Sequence, residues 1–277
     1  MADTGSDRLV HDPQGGMERL LEIMRRLRDP VTGCPWDIEQ TFATIAPYTL
    51  EEAHEVADAI ERQAWGELPG ELGDLLFQAV FHAQMAEDAG MFGFGDVVKT
   101  ISDKMVARHP HVFGDESRDK TPAQQTLDWE KIKAAERGKA RVLDGVAMGL
   151  PSLTRAVKLQ NRAARVGFDW PSTDEVLAKM AEEMAELVEA RDTLGQAEIV
   201  EEMGDLLFVM ANLCRHMQID PEAALRAANA KFTRRFERIE DWLAEAGKTP
   251  ADSDLAEMDG LWDRAKAEEK AAKRLQG

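Results

Sequence analysis

The sequence predicts an all-α protein built from two tandem units, and three observations support this fold class. Ala, Glu, Leu, Met, Lys and Arg are abundant, whereas the chain contains a single Tyr and few other strand-favouring residues. Apolar residues make up 44% of the 277 residues, which is enough for packed cores. An acidic pattern at 50–77 recurs 131 positions later, at 181–208, and this internal duplication divides the chain in two.

The first unit is expected to span 17–137, after a disordered tail at 1–16 that is rich in Asp and Gly. Leucines at helical spacing predict its first helix, which Asp29-Pro30 ends, and glycines separate the later helices. The expected helices are 17–28, about 47–65, 71–89, about 96–108 and 123 to about 137, with a turn-rich loop at 29–37 and an irregular segment at 109–122.

A linker at 138–149 is expected to lead into the second unit, at 150–277. Ser172 and Glu175 resemble a capping box at the start of one helix, and Pro221 is placed to open another. The expected helices are 151–166, 172–191, 195–216, 221 to about 246 and 254–275. The prediction is about four helices in each unit.

Net charge and cysteine content restrict the partners and the compartment. The formal charge of −18 argues against binding to nucleic acid or to anionic membranes. Cys34 and Cys214 cannot form a disulfide framework, which favours a reducing cytoplasm. The N-terminus lacks an apolar signal core, and the apolar run at 75–86 is shorter than the roughly 20 residues of a membrane-spanning helix.

The duplicated acids have the spacing of a metal site. Residues three apart lie on one face of a helix, so Glu183 and Glu186 should project together, as should Glu202 and Asp205. An apolar stripe borders the second pair and is expected to face the core: Met203, Leu206, Leu207 and Met210. Clustered carboxylates without His or Cys suit a hard cation, Mg²⁺ or Mn²⁺, better than zinc.

Cationic and aromatic side chains accompany the acids in the second unit. Lys231 and Arg235 are four apart and share a helix face, where they could hold a polyphosphate. Lys179 lies one turn before Glu183 and could reach the same ligand. Trp262 and Lys266 form another pair four apart, although a Trp in such a position is more often part of a core than a platform for a base.

The combined motif resembles MazG, a nucleoside triphosphate pyrophosphohydrolase family of the all-α pyrophosphatase superfamily. The pattern is EExxE, ExxD, KxxxR and WxxxK, and it occurs twice between about 17 and 270. The resemblance implies two tandem MazG-like helical-bundle units, pairing into homodimers, and Mg²⁺-dependent hydrolysis of nucleoside triphosphates at the α–β bond to monophosphate and pyrophosphate, as house-cleaning of the nucleotide pool.

The resemblance also implies roles for individual residues. The metal ligands would be Glu183, Glu186, Glu202 and Asp205, and Glu182 would orient or deprotonate the attacking water. Lys179, Lys231 and Arg235 would contact the phosphates, and Trp262 and Lys266 would lie near the nucleotide. The C-terminal unit is expected to be catalytic, because Tyr48 and Ser102 replace Lys179 and Asn229 in the first. A second site nevertheless stays possible there, formed by Glu52, Glu55, Glu71, Asp74, Lys104, Arg108, Trp129 and Lys133.

Two other classes of function remain open at the level of sequence. One is a di-iron or di-manganese oxidoreductase in a four-helix bundle, although the Glu-x-x-His pairs typical of that chemistry are absent from both acidic segments. The other is a non-catalytic helical interaction protein whose acidic faces are solvated. Base preference cannot be read from the sequence.

Overall fold

A computed structural model describes residues 5–122, 124–126, 128–129, 132 and 141–276 of the chain. These residues form helices and turns without any strand, which confirms the all-α prediction. The chain divides into two compact units, Met1–Arg137 and Gly138–Gly277. In the part of the chain described, no helix combines the length and apolar character that crossing a bilayer requires.

The helices of the first unit follow the predicted order. They are α1 (Gly5–His11), α2 (Gly16–Leu27), α3 (Pro35–Glu39), α4 (Phe42–Glu61), α5 (Leu68–Asp88), α6 (Phe94–Arg108) and α7 (Pro110–Phe113). The helix expected over 123–137 falls largely outside the described residues. The segment 109–122, expected to be irregular, contains the single turn of α7.

Residues 5–11, within the segment expected to be a disordered tail, form α1, which packs against α2. The Arg26 guanidinium of α2 donates hydrogen bonds to the Ser6 hydroxyl and to Asp7 Oδ1, the latter at 2.7 Å. Asp- and Gly-rich composition suggested disorder, but contacts with a helix about 20 positions away offset the ordering cost of this short segment.

Helix α4 begins five residues earlier than the proline at position 47 suggested. Thr41 caps it, because its side chain accepts a hydrogen bond from the Thr44 N–H while the Thr44 hydroxyl oxygen accepts one from the Thr41 N–H. Pro47 lies within the helix, where it removes one backbone hydrogen bond. The cap therefore sets the start of the helix.

The core of the first unit gathers side chains from α2, α4 and α5. Its buried members are Met24, Ile45, Val80, Phe81 and Met85, with Leu20, Leu21, Phe77 and Phe94 packed against them. Phe81 is 1% exposed and is the largest fully buried side chain in the described residues. This core fixes α5, which also carries Glu71 and Asp74.

The described residues of the second unit form five long helices, one for each expected segment and one more than the summary count of about four. They are α8 (Ser152–Ala164), α9 (Thr173–Thr193), α10 (Gln196–His216), α11 (Pro221–Glu245) and α12 (Leu255–Gln276), with a 3₁₀ turn at Pro250–Asp252. Asp220 caps α11 by accepting hydrogen bonds from the N–H groups of Glu222 and Ala223. Ser172 caps α9 through the Asp174 N–H, but Glu175 accepts from the Ser172 hydroxyl instead of completing the capping box.

Most of the apolar stripe on α10 is exposed, contrary to expectation, and of its four residues Leu206 alone is half-buried. Met203, Leu207 and Met210 are 43%, 45% and 46% exposed. The face of α10 that packs inward instead presents Val209, Ala211 and Asn212. Helical periodicity identified an apolar face correctly, but it could not distinguish a face buried within the chain from a face left open on the folded unit.

Candidate active site

The acids of the second unit are carried by a helical hairpin. Helices α9 and α10 are joined by only Leu194 and Gly195 and pack closely against each other. Their adjoining faces carry the acids: Glu182, Glu183 and Glu186 on α9, and Glu202 and Asp205 on α10. The hairpin therefore brings together acids that are about 20 positions apart in the sequence.

Three of the predicted metal ligands converge. Glu183, Glu186 and Glu202 each offer a carboxylate oxygen, and these oxygens all lie within 4.8 Å of one another. Glu183 is only 5% exposed, whereas Glu186 is exposed and Glu202 is half-buried. Asp205, the fourth predicted ligand, is not part of this closest group, although its charge acts on Glu202.

The cluster carries more negative charge than its surroundings neutralise. Desolvation raises the pKa of Glu202 above its ordinary value, and repulsion from Glu186, Glu183 and Asp205 adds to this effect. An arrangement of this kind is stabilised by a cation with several oxygen ligands.

Lys179 supplies positive charge to the same cluster. Its Nζ lies 2.8 Å from Glu183 Oε1, 2.9 Å from Glu182 Oε1 and 3.9 Å from Glu186 Oε2. The hydrogen bond to Glu183, and then that to Glu182, raises the pKa of Lys179 above its usual range. Glu182, predicted to be the base, therefore shares the Lys179 ammonium group with Glu183, one of the predicted metal ligands.

The cations predicted to bind phosphate lie on α11. The Arg235 guanidinium donates to Glu269 Oε2 from Nε at 3.0 Å and from Nη2 at 2.7 Å, and it lies 5.3 Å from the centre of the Trp262 ring. Lys231 is exposed, and within the described residues no hydrogen bond or ion pair joins it or Arg235 to the acids of the hairpin. Lys266 pairs with Asp263 at 2.9 Å.

Glu269 is a site residue that the sequence motif did not identify. It holds Arg235 from α12, and this contact lowers the pKa of the Glu269 carboxyl. Its spacing offered a weak signal, since it follows Trp262 by two helical turns and so shares a face with it. Nothing in that spacing indicated that its partner would be Arg235, which lies on another helix.

The first unit repeats the acidic cluster with a different neighbour. Carboxylate oxygens of Glu52, Glu55 and Glu71 also lie within 4.8 Å of one another. Desolvation raises the pKa of Glu52, and so does repulsion from Glu55 and Asp74. Tyr48 stands where the second unit has Lys179, and its ring lies edge-on to Trp36 at 6.2 Å. Within the described residues, no ammonium group is paired with these three acids.

The remaining candidates of the first unit are only partly assembled. The Trp129 Nε1–H donates to the Arg108 carbonyl oxygen at 3.0 Å, and Lys104 is exposed on α6. Lys133 lies outside the described residues. The first unit thus shares the carboxylates of the second but lacks the lysine that partly neutralises them.

Comparison with known proteins places both units among pyrophosphohydrolases. Residues 40–113 match the MazG nucleotide pyrophosphohydrolase domain, and residues 151–232 match phosphoribosyl-ATP pyrophosphohydrolase. The matched segments include the acids of each hairpin.

Several bacterial relatives resemble the chain over most of its length. The nucleoside triphosphate pyrophosphohydrolase of Escherichia coli (strain K12) is 51% identical over 258 residues, which cover 91% of this chain and 98% of that protein. The nucleoside triphosphate pyrophosphohydrolase/pyrophosphatase MazG of Thermotoga maritima is 41% identical over 251 residues, which cover 90% of this chain and 95% of that protein. The uncharacterized protein YabN of Bacillus subtilis is 43% identical over 252 residues, 90% of this chain and 51% of that protein.

These likenesses extend through both units and include the acids of both clusters. At 51% identity to a relative that it matches almost end to end, the chain belongs to the MazG family of nucleoside triphosphate pyrophosphohydrolases, which are hydrolases acting on acid anhydrides.

Proposed function

We propose that the hairpin of α9 and α10 is the site at which this pyrophosphohydrolase cleaves a nucleoside triphosphate between its α and β phosphates, releasing monophosphate and pyrophosphate. The observation that supports this location is the convergence of Glu183, Glu186 and Glu202, with carboxylate oxygens within 4.8 Å of one another. A role in clearing unwanted nucleotides from the pool is part of the same proposal.

The donor set fits Mg²⁺, with Mn²⁺ as a substitute. All its oxygens come from carboxylates, which hard divalent ions prefer, and Asp205 lies one turn after Glu202 on the same helix. When bound, the ion would neutralise phosphate oxygens and lower the pKa of a water molecule. The raised pKa of Glu202 supports the assignment, because a nearby cation would stabilise the charged form of its carboxylate.

The other side chains divide the remaining tasks. Phosphoryl transfer depends on positioning and on charge neutralisation more than on covalent catalysis. We assign Glu182 to orient the attacking water and accept its proton. The phosphate oxygens would be bound by Lys179, Lys231 and Arg235, and Trp262 and Lys266 would line the nucleotide side of the site. Release of Arg235 from Glu269 would free its guanidinium for this purpose.

No specific observation favours the two alternative functions. Neither acidic cluster contains a histidine among the described residues, unlike a typical di-iron carboxylate site. Membership of a hydrolase family argues against a purely structural interaction protein.

Titration of Mg²⁺ into the full chain, without nucleotide, tests the metal assignment. We expect Glu183→Gln to weaken one class of Mg²⁺ sites by about tenfold or more, because even outer partners of metal ligands contribute that much. Glu245→Gln, at the exposed end of α11, is the matched control and should leave the calorimetric titration unchanged. A titration of Glu183→Gln that overlays the wild-type curve would reject the site.

We also propose that two copies of the chain pair through the exposed apolar face of the hairpin. On α9 this face carries Leu177, Met184 and Val188, and on α10 it carries Val200, Met203, Leu207 and Met210, all at least 43% exposed. Their helical spacing aligns them in continuous stripes. A surface of this kind marks an interface, and a second copy offers the same self-complementary surface.

Replacing Leu207 by Glu should convert the dimer into a single chain of 30.8 kDa, because a charge would be buried in an apolar contact. Light scattering coupled to size exclusion measures the change. Leu255→Glu is the control, since Leu255 is 81% exposed at the start of α12 and away from the stripes. Equal molar masses for both variants would contradict this interface.

The remaining proposals concern partners and compartment. The charge of −18 disfavours nucleic acid as a partner, which leaves the small triphosphate as the ligand. Both cysteines are free thiols, consistent with a reducing cytoplasm.

A further inference from the structure

A cavity of about 510 Å³ lies in the second unit, between α8, the loop at 167–170 and α10. Its walls are mainly apolar and aromatic, with two amide side chains, Gln160 and Asn212, among them. Such a combination, mostly apolar with a few placed polar groups, is typical of a small-molecule site. The sequence pattern gave no indication of it.

The cavity shares α10 with the acidic cluster. Phe208 and Asn212 line it and follow Asp205 by three and seven residues. At a rise of about 1.5 Å per residue, these positions lie roughly 5 and 10 Å along the helix from Asp205. A molecule with phosphates at the carboxylates could therefore extend its other end into this cavity.

Gln160 presents a hydrogen-bond acceptor without a partner. Its side chain is 6% exposed, and its Nε2 donates to the Phe208 carbonyl oxygen at 2.8 Å. Its Oε1 is buried, and within the described residues it accepts no hydrogen bond. Because a buried polar atom without a partner is costly, the arrangement is best satisfied by a ligand that donates an N–H.

Two residues near the end of α10, Arg215 and His216, hold the Asn212 side chain and the loop at 167–170 in place. Asn212 is 2% exposed, and its Oδ1 accepts hydrogen bonds from Arg215 Nε at 3.0 Å and Nη2 at 2.8 Å. Arg215 also contacts Asp169, which His216 approaches at 3.2 Å. These contacts fix the loop that supplies Phe168 and Trp170 to the cavity wall, so two aromatic rings are positioned beside the amides.

The first unit carries larger side chains at the corresponding positions. With the offset of 131 positions that aligns the acids, Val80 and Phe81 correspond to Ala211 and Asn212. Both are 1% exposed in the core of the first unit, where Phe81 packs with Met24. A large apolar ring thus replaces a small amide at the position that lines the cavity in the second unit.

Trp262, the other aromatic candidate for contact with a base, already has close neighbours. The Arg235 guanidinium lies 5.3 Å from its ring centre, and the Phe232 ring is 5.3 Å away as well. No side chain of the described residues occupies the cavity at Gln160 in this way.

We propose that this cavity receives the nucleobase of the substrate, with Gln160 Oε1 accepting a hydrogen bond from a base N–H and the aromatic rings packing against the base. The assignment rests on the proposed position of the phosphates at the acidic hairpin. It makes Gln160 and Asn212 determinants of affinity for the base, while the acids act on the phosphates that all substrates share.

The test compares substrates that have a base with one that has none. For the full chain, KM and kcat are measured with ATP, GTP, CTP and UTP, and ribose 5′-triphosphate is measured as a competitive inhibitor. In Gln160→Leu we expect KM to rise about three- to tenfold for at least one nucleotide, the size of one neutral hydrogen bond. The inhibition constant of the baseless compound should stay within about twofold, since that compound cannot contact Gln160.

Two further variants separate a local effect from a folding defect. Asn212→Phe copies the first unit and should raise KM for every nucleotide towards the inhibition constant of ribose 5′-triphosphate, with that constant unchanged. Gln78→Leu removes a buried amide with an unpartnered Oε1 from the first unit and should change neither quantity.

The results also distinguish this inference from the proposed phosphate site. If both cavity variants leave every nucleotide KM unchanged, or weaken ribose 5′-triphosphate as much as ATP, the nucleobase assignment is wrong. Glu202→Gln should instead abolish turnover of every nucleotide regardless of base. Normal turnover in that variant would overturn the carboxylate site on which the assignment rests, whereas lost turnover together with unchanged KM values in the cavity variants would overturn the nucleobase assignment alone.

Discussion

Replacing Glu202 by Gln should lower the rate of pyrophosphate release by at least about a hundredfold, because the substitution removes a ligand from the cluster that holds the metal. Outer partners of metal ligands alone contribute about 10- to 100-fold, so a direct ligand should contribute no less. Gln preserves the shape of the side chain while removing its charge. Desolvation, and after it repulsion from neighbouring acids, raises the pKa of the Glu202 carboxyl.

Glu71→Gln is the matched variant, because Glu71 occupies the corresponding position in the acidic cluster of the first unit. It should retain most of the wild-type activity. Pyrophosphate release is followed with a saturating triphosphate and Mg²⁺, and circular dichroism verifies that both variants remain folded. Equal losses in the two variants would show that both units contribute to catalysis and would contradict a purely C-terminal site.

The difference between the units depends on neighbours of the acids rather than on the acids themselves. Both clusters bring three carboxylates within 4.8 Å of one another. Among the described residues, Lys179 adds an ammonium group to the second cluster, whereas Tyr48 stands at that position in the first. The second also has a cavity lined by Asn212, whereas the residue at the corresponding position of the first unit, Phe81, packs in the core. Substrate binding is therefore expected to distinguish two units with similar metal ligands.

The sequence could predict the helices and the acidic clusters because both depend on local spacing. Acids three residues apart share a face wherever the helix forms, and a connection of two residues brings α9 against α10. Caps such as Asp220 also lie next to the ends they satisfy. Helix boundaries in the second unit accordingly agree with the expected ones to within about two residues, the usual uncertainty of helix ends.

Features that depend on distant contacts could not be predicted in the same way. Gln160 meets the Phe208 carbonyl across 48 positions, and Arg235 meets Glu269 across 34. Neither pairing has a spacing that would identify it, because the relative positions of the helices decide it. The prediction that the stripe containing Met203 faces the core was wrong for a related reason, since hydrophobic periodicity identifies an apolar face without identifying what covers it.

Replacing Lys179 by Met should have opposite effects on metal binding and on turnover. Its ammonium group lies 2.8 Å from Glu183, so it competes with a divalent ion for the same carboxylate. Removing that positive charge should tighten Mg²⁺ binding in the absence of nucleotide. Turnover should fall, because the variant lacks the ammonium group that is expected to bind the phosphates in the wild-type enzyme. A charged hydrogen bond contributes about 1.5–3 kcal/mol, which corresponds to roughly a 10- to 100-fold loss in kcat/KM.

Lys231→Met separates these two effects, because Lys231 is exposed on α11 and, within the described residues, forms no ion pair with the acids. We expect it to lower kcat/KM while leaving Mg²⁺ affinity unchanged, as measured by calorimetry with and without a triphosphate. If Lys179→Met instead weakens Mg²⁺ binding, its ammonium group must support the arrangement of the carboxylates rather than compete with the metal. Tighter metal binding together with slower turnover would mean that the lysine exchanges between two anionic partners, the carboxylates in the free enzyme and the phosphates in the complex.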